Sequence, residues 1–449
     1  MREVITLMNN IIVLRFTENT VSSAERIKQL AGIINSNPSY RYAILSAPGK
    51  NEESDIKATD VLYMCHSQFS NGEDYHSMLG RLRNIYTSII EGLGINFDLE
   101  SEIKEIERGL ISGRNADFIA SRGEYLISKI FAQFLGWDFI DAEDIIYFTS
   151  DGTLDNNKTF QAASERLKHS EHAVIPSFYG TLMSNGKHVK TFPRGQCDTT
   201  GAVVTRAVNA DYLEKWMYKT RPYSADPSIV KDPHVIRNIT YNEVLELNYM
   251  GIKVFEDDVA LILRNNGIPV LIRTLFYPDE EGTLVSPELP EGISRNVAVC
   301  IAGRKNFSVI HIDKFGLNKQ KDFGRKLFSI FARYNVACEH TLSGIHKVSL
   351  VIKSPMFDLR RREIIQDIKN ELEADSVTFD RNLSLIAVIG SGMGTVHGVF
   401  EKVFRALAGA HVKVHMIDQG SDDTSIILGV YDEEFDKSVN ALYEAMILN

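Results

Sequence analysis

The sequence predicts an α/β protein, a parallel-rich sheet sandwiched by helices, followed by two small α+β modules. Three observations carry that expectation. Short apolar runs of strand length alternate with amphipathic helices through the first part of the chain. A proline- and acid-rich stretch then breaks the pattern. The C-terminal third repeats itself at an offset of 76 residues.

In chain order, IIVLRF (11–16) has the length and composition of a strand, and SSAERIKQLAGII comes after it with helical periodicity behind a serine cap. YAILSAPG (42–49) is a second strand that ends in a Pro-Gly turn. TDVLYMCHSQF and YHSMLGRLRNIYTSII are helical, the latter opening a charged helical segment that runs to about residue 115. The helix GEYLISKIFAQFLG, the strand HAVIPSFYG and the helix TTGAVVTRAVNA come next. Strands separated by helices of this length imply a parallel sheet covered on both faces.

The stretch PDEEGTLVSPELPEGISRN, with Pro278, Pro287 and Pro290, reads as a linker or irregular boundary. Beyond it Lys326, Phe328, Ala332, Val336, Gly344 and Ser349 recur as Lys402, Phe404, Ala408, Val412, Gly420 and Ser425. Each copy reads as helix, strand, Gly turn and strand. RNVAVCIA and FSVIHIDK are expected as strands of the first copy and NLSLIAVIGS as a strand of the second. Phe328 with Ala332, and Phe404 with Ala408, lie at i, i+4, so each pair is expected to face its sheet.

Composition removes several function classes. The 449 residues carry a net charge of −10, which argues against a general nucleic-acid binder. No apolar run reaches membrane-spanning length, and Glu3 interrupts any leader-like stretch, so a cytoplasmic protein without membrane contact is expected. Cys65, Cys197, Cys300 and Cys338 form no CxxC pair and read as reduced thiols. Among the histidines only His411 and His415 sit four apart, in a strand-like stretch, and no zinc site is expected.

Several stretches are specific enough to name a family: SRGEYL (121–126), RGQCDTTGA (194–202), YSADPSIV (223–230), LELNYMGIKVF (245–255) and QGSDDTSI (419–426). The chain resembles the aspartokinases over nearly its whole length, most closely the lysine-sensitive single-function type. That resemblance implies an amino-acid-kinase domain over 1–285, then ACT modules over 294–372 and 373–449. It also implies transfer of the γ-phosphoryl group of ATP, with Mg²⁺, to the side-chain carboxylate of L-aspartate. This is the first step toward lysine, threonine and methionine.

The family's motifs are only partly present. A lysine followed by Phe-Gly-Gly-Thr-Ser is replaced by RFTENT: Arg15 stands at the phosphate-binding lysine, Thr17 and Glu18 at the two glycines, Asn19 and Thr20 at the end. Glycine lets backbone N–H groups approach a phosphate, and a Glu18 carboxylate would repel one by about 4 kcal/mol per unit charge at 4 Å and an effective dielectric of 20. The second motif reads PRGQCDT, keeping Arg194, Gly195, Asp198 and Thr199. In the third, Tyr218 and Thr220 occupy two aspartate positions and Arg221 a glycine, while Tyr223, Ala225, Asp226 and Pro227 remain. Lys253 is kept, and the His-Pro after it is Glu256-Asp257.

The resemblance assigns roles accordingly. Arg15 and Asp198 are the catalytic candidates, and Thr20, Glu124, Arg194 and Gly195 would hold the substrate. Thr17, Glu18, Tyr223, Asp226 and Lys253 would hold the nucleotide. An amino-acid effector, lysine ahead of threonine, would meet Asp322, Phe323, Met416, Gln419 and Ser421 in loops 314–323 and 416–423, with a homodimer formed through the ACT modules. No resident metal site is expected. The residues also carry plainer readings: Glu124 as a solvated carboxylate at a helix start, Asp198 as an N-cap, Lys253 as a surface lysine, and Cys197 as a small apolar filler. Two other functions stay open, a catalytically impaired paralogue acting as an amino-acid-binding regulatory protein, and a kinase for another carboxylate.

Overall fold

Ile12–Phe16 (β1) is buried at every position, its arginine included, because strands flank it on both sides and helices cover both faces. The computed structural model describes residues 9–51, 55–184, 186–290, 292, 295–419 and 423–448. They fall into two units. The first takes the chain up to Pro222 with Arg237–Tyr241 and Val254–Ile293, and the second takes Tyr223–Ile236, Asn242–Lys253 and the remainder from Ser294.

Strands of the first unit after β1 are β2 (Tyr40–Leu45), β3 (Asp138–Phe139), β4 (Tyr147–Phe148), β5 (Ala173–Pro176), β6 (Tyr179–Ser184), β7 (Gly186–Thr191), β8 (Tyr212–Met217), β9 (Asn238–Thr240), β10 (Val270–Thr274) and β11 (Thr283–Ser286). Among the described residues they form an eight-stranded sheet in the order β3-β5-β2-β1-β8-β10-β11-β9, and a smaller sheet β4-β6-β7. The large sheet is parallel from β3 to β10, and β11 runs antiparallel to β10. The expected helices are present. Ser23 caps Ala24–Asn35 by accepting from the N–H of Arg26, and Asn115 caps Ala116–Leu135 by accepting from that of Phe118.

The linker expected near Pro278 needs correction. Its TLVS segment is β11, fully buried and paired to both β10 and β9. The prolines flank this strand without entering it, so none removes a ladder N–H.

The second unit holds β12 (Cys300–Asp313), β13 (Cys338–Ser343), β14 (Lys347–Lys353), β15 (Ser376–Ile389), β16 (Met416–Gln419) and β17 (Ser425–Tyr431). They make one antiparallel sheet in the order β13-β14-β12-β15-β17-β16. RNVAVCIA and FSVIHIDK are not separate strands of one repeat. β12 runs unbroken through 14 residues, with register shifts near Arg304–Phe307. Ile301 from its first half packs with Ile386, Leu428 and Phe435, whereas Ile310 and Ile312 from its second half pack with Leu327, Phe331 and Ile364.

The helix faces also differ from expectation. Phe323–Arg333 buries Phe323, Leu327, Ile330 and Phe331 and leaves Phe328 46% exposed. Val399–Gly409 buries Val399, Val403 and Leu407. Phe328 and Ala332 therefore lie on the outer side of the first helix, whereas in the second Ala408 is exposed and Phe404 is half-buried against the core, since i, i+4 spacing defines a stripe but not which stripe meets the sheet. His411 and His415 lie in the connection before β16 rather than in a strand. No described helix is long and apolar enough to cross a membrane.

Candidate active site

In the first unit's sheet the chain turns one way from β1 to β2, while β8 lies on the other side of β1. That reversal makes the crevice beyond the carboxyl ends of β1 and β8 the place where a parallel α/β sheet takes a ligand. Arg15 sits one residue from the end of β1, and its Cα register partner on β8 is Lys215. The helix Asp198–Ala207 begins with Asp198, which is not its N-cap. Cys197 holds that place and makes no side-chain capping bond, so the carboxylate of Asp198 is free for other work.

That work is an ion-pair cluster. Arg15 Nε lies 3.0 Å from Asp198 Oδ1, and Lys215 Nζ lies 2.6 Å from Asp198 Oδ2. Arg15 also donates to the Phe16 carbonyl and, at 2.7 Å, to Ser46 Oγ, while Lys215 donates to the Val254 carbonyl at 2.8 Å. All three charged residues are buried. Burial works against the charged form of Asp198, but Lys215 and Arg15 outweigh it and hold the carboxyl below its usual range. Lys215 escaped notice in the sequence because the recognised motif begins at Trp216. Only strand register sets it beside Arg15.

Glu124 belongs to the same neighbourhood. It lies inside the helix Ala116–Leu135, eight residues past its start, so the solvated helix-start reading is overturned. The residue is 3% exposed and its Oε2 has no hydrogen-bond partner. Burial pushes its carboxyl up to about 8, against backbone N–H bonds from Ala47 and from its own residue and the attraction of Arg15. Gly123 brings it there, because a Cβ at that position would lie 2.9 Å from the Ala47 Cβ. Gly123→Ala is therefore expected to destabilise the chain by about 1–3 kcal/mol, read by chemical denaturation. Burial pushes the Cys197 thiol up to about 12 despite Arg15 nearby, which works against the thiolate a nucleophile needs.

The loop after β1 is tied to itself. The Thr17 N–H donates to the Trp216 carbonyl at 3.2 Å, and the Thr20 N–H and hydroxyl both donate to the Thr17 carbonyl at 2.9 and 2.6 Å. Glu18 pairs with Lys57 at 2.6 Å. Arg194 is exposed, pairs with Asp60 at 3.2 Å and lies over the Tyr63 ring. Gly195 beside it takes φ +91°, a conformation that suits glycine.

Tyr223, Asp226 and Lys253 belong to the second unit. The Tyr223 carbonyl accepts from Cys300 Sγ, Asp226 accepts from the N–H and hydroxyl of Ser228 at 2.8 Å, and Lys253 is exposed. Of the effector candidates, Asp322 pairs with Lys326 at 3.2 Å, Phe323 and Met416 are buried, and Gln419 donates to Asp423 at 3.1 Å. Ser421 lies outside the described residues.

The donors suit a phosphorylated ligand. Two cations share one carboxylate, and a second buried carboxyl, its Oε2 unpaired, lies nearby. They do not suit a resident Mg²⁺, because both oxygens of Asp198 already face cations and no acidic cluster of metal-binding size exists among the described residues.

Comparison with known proteins finds relatives along the chain. Residues 10–274 match the amino acid kinase family and residues 386–446 the ACT domain. Aspartokinase 3 of Bacillus subtilis is 28% identical over 447 residues, spanning 96% of this chain and 98% of that protein. Aspartokinase III of Escherichia coli, solved with aspartate and ADP, shares the fold at a TM-score of 0.74 and 21% identity, over 97% of this chain and 99% of that one. The crystal structure of Clostridium acetobutylicum aspartate kinase, described as an allosteric enzyme, is 37% identical with a TM-score of 0.88 and covers 97% of this chain and 99% of its own. On that match along the whole length, the chain belongs to the aspartate kinase family.

Proposed function

We infer that the protein is an aspartate kinase, converting ATP and L-aspartate to ADP and 4-phospho-L-aspartate. The observation that carries this is the buried Arg15–Asp198–Lys215 cluster at the carboxyl ends of β1 and β8, with the Glu124 carboxyl in its field. A side-chain carboxylate oxygen of aspartate attacks the γ-phosphorus. The bond to the bridging oxygen breaks, and ADP leaves with the electron pair. Such transfer needs positioning and charge stabilisation more than covalent help, so an arginine can serve where relatives use lysine.

On this reading Arg15 faces the phosphoryl group and Asp198 orients it. Glu124 receives the ammonium group of aspartate. Arg194, released from Asp60, binds a substrate carboxylate beside Gly195 and Thr20. Thr17 and Glu18 serve the nucleotide, family resemblance adds Tyr223, Asp226 and Lys253 to that role, and Mg²⁺ arrives as part of the Mg·ATP substrate. The catalytic-type domain spans 1–285, and the ACT modules (294–372 and 373–449) bind an amino-acid effector, lysine ahead of threonine, in a cytoplasmic homodimer serving lysine biosynthesis.

The test is magnesium-dependent ADP release from the full chain, with aspartate and other acidic amino acids as separate acceptors. Release that saturates with aspartate supports the reading. A profile confined to another acceptor, or no release above background at high enzyme concentration, rejects it.

A further inference from the structure

We propose that Lys215 is a positioning residue for phosphate. It occupies one side of Asp198 so that the guanidinium of Arg15 keeps a net charge for the anion. This rests on the kinase reading for its role in turnover, but the anion site can be tested without turnover.

The argument starts from strand register. Arg15 and Lys215 are Cα partners on adjacent parallel strands, so their side chains leave the sheet on one face. Asp198 lies between them, with one oxygen 3.0 Å from Arg15 Nε and the other 2.6 Å from Lys215 Nζ. Were Lys215 apolar, Arg15 and Asp198 would form a closed pair with no net charge. With it, the buried group carries a formal charge of +1, and a buried surplus charge calls for a counter-ion.

The loop after β1 supplies little of that attraction through Thr17 and Thr20. The N–H groups of Thr17 and Thr20 are already bonded within the protein, and Glu18 adds a negative charge that Lys57 only balances. The buried Arg15–Asp198–Lys215 side chains add a positive charge at the same end of β1. Lys215 Nζ is held by the Asp198 carboxylate and the Val254 carbonyl, so in this proposal it acts through Asp198 and Arg15.

The experiment titrates inorganic tripolyphosphate into the full chain by calorimetry at fixed low salt, with the thermal midpoint as a folding control. Lys215→Met is expected to weaken binding about tenfold or more, the size expected for one nearby unit charge partly screened by solvent. Lys215→Arg should stay within about threefold of wild type. The double variant Lys215→Met with Asp198→Asn restores the +1 charge and should recover the affinity lost by the single change, which a purely structural lysine would not do.

Wild-type affinity in Lys215→Met, or a folded double variant no better than the single one, overturns the proposal. So does a wild-type chain that binds no tripolyphosphate. If the double variant is unstable, the contrast between Lys215→Met and Lys215→Arg decides: equal affinities reject the proposal, and a selective loss in Lys215→Met supports it. Tripolyphosphate binding without aspartate-dependent ADP release would reject the kinase reading and leave this one standing.

Discussion

Replacing Arg15 by methionine is expected to lower kcat/KM for aspartate-dependent ADP formation by at least about a thousandfold, about 4 kcal/mol of transition-state stabilisation. Arg15 brings a buried guanidinium to the carboxyl end of the central strand, held by Ser46, the Phe16 carbonyl and Asp198. Methionine fills much of the same volume, and Lys215 still neutralises Asp198. The fold should therefore persist while activity falls, and thermal melting alongside steady-state kinetics separates the two. Arg15→Lys keeps the charge but lacks the fork that reaches three partners, so it should retain more activity than methionine and less than arginine.

Glu124 should report aspartate binding through a proton. Its carboxyl, pushed up to about 8 by burial, is mostly protonated at pH 7 in the free protein. An ammonium group placed against it favours the ionised form, so binding releases about one proton per aspartate at pH 7. Titrations in buffers of different ionisation enthalpy measure that proton. Glu124→Gln should abolish it and weaken aspartate affinity about a hundredfold, as expected for a lost charged hydrogen bond in a buried place.

The same carboxyl sets a stability slope. A folded value raised from the ordinary 4.5 to about 8 gives stability that is complete below 4.5 and is lost as pH rises through 8. Between pH 5 and pH 8 the loss from this group is about 3 to 4 kcal/mol, and Glu124→Gln should remove it from urea unfolding curves. Asp198 works in the opposite direction. Its depressed carboxyl contributes stability above the ordinary carboxylate range, and this is lost as pH falls through its folded value.

Much of this arrangement was legible in the sequence, and the failures share a cause. β1, β2 and the helix capped by Ser23 are local features, set by apolar runs and by a side chain that accepts a backbone N–H three residues on, whereas the helix expected to open at Gly123 starts at Ala116 behind Asn115. The misreadings concern which partner a segment meets. β11 looked like linker because four residues between prolines carry little periodic signal, yet pairing on both sides buries them. β12 looked like two strands because Gly303, Arg304 and Lys305 interrupt the apolar pattern. The repeat of Phe328 and Phe404 was real, but a repeat does not say which side of a helix the sheet covers.

The site divides along the same line. Arg15, Asp198 and Glu124 were found because they sit in stretches that resemble a family, and the structure brings them into one electrostatic neighbourhood. Lys215 was missed because only strand register places it opposite Arg15. The glycines lost after β1 suggested a damaged phosphate loop. The cluster beneath that loop, with its surplus positive charge, offers phosphate another partner.

The most direct test of the account is to trap the product. Full-length protein, Mg·ATP and L-aspartate are incubated with hydroxylamine, which converts an acyl phosphate to a hydroxamate that mass spectrometry identifies. The account predicts aspartyl hydroxamate that depends on enzyme, nucleotide and aspartate and disappears in Arg15→Met. Absence of hydroxamate from the wild-type chain at high enzyme concentration, with aspartate still bound in calorimetry, would contradict it and leave a binding protein on a kinase fold.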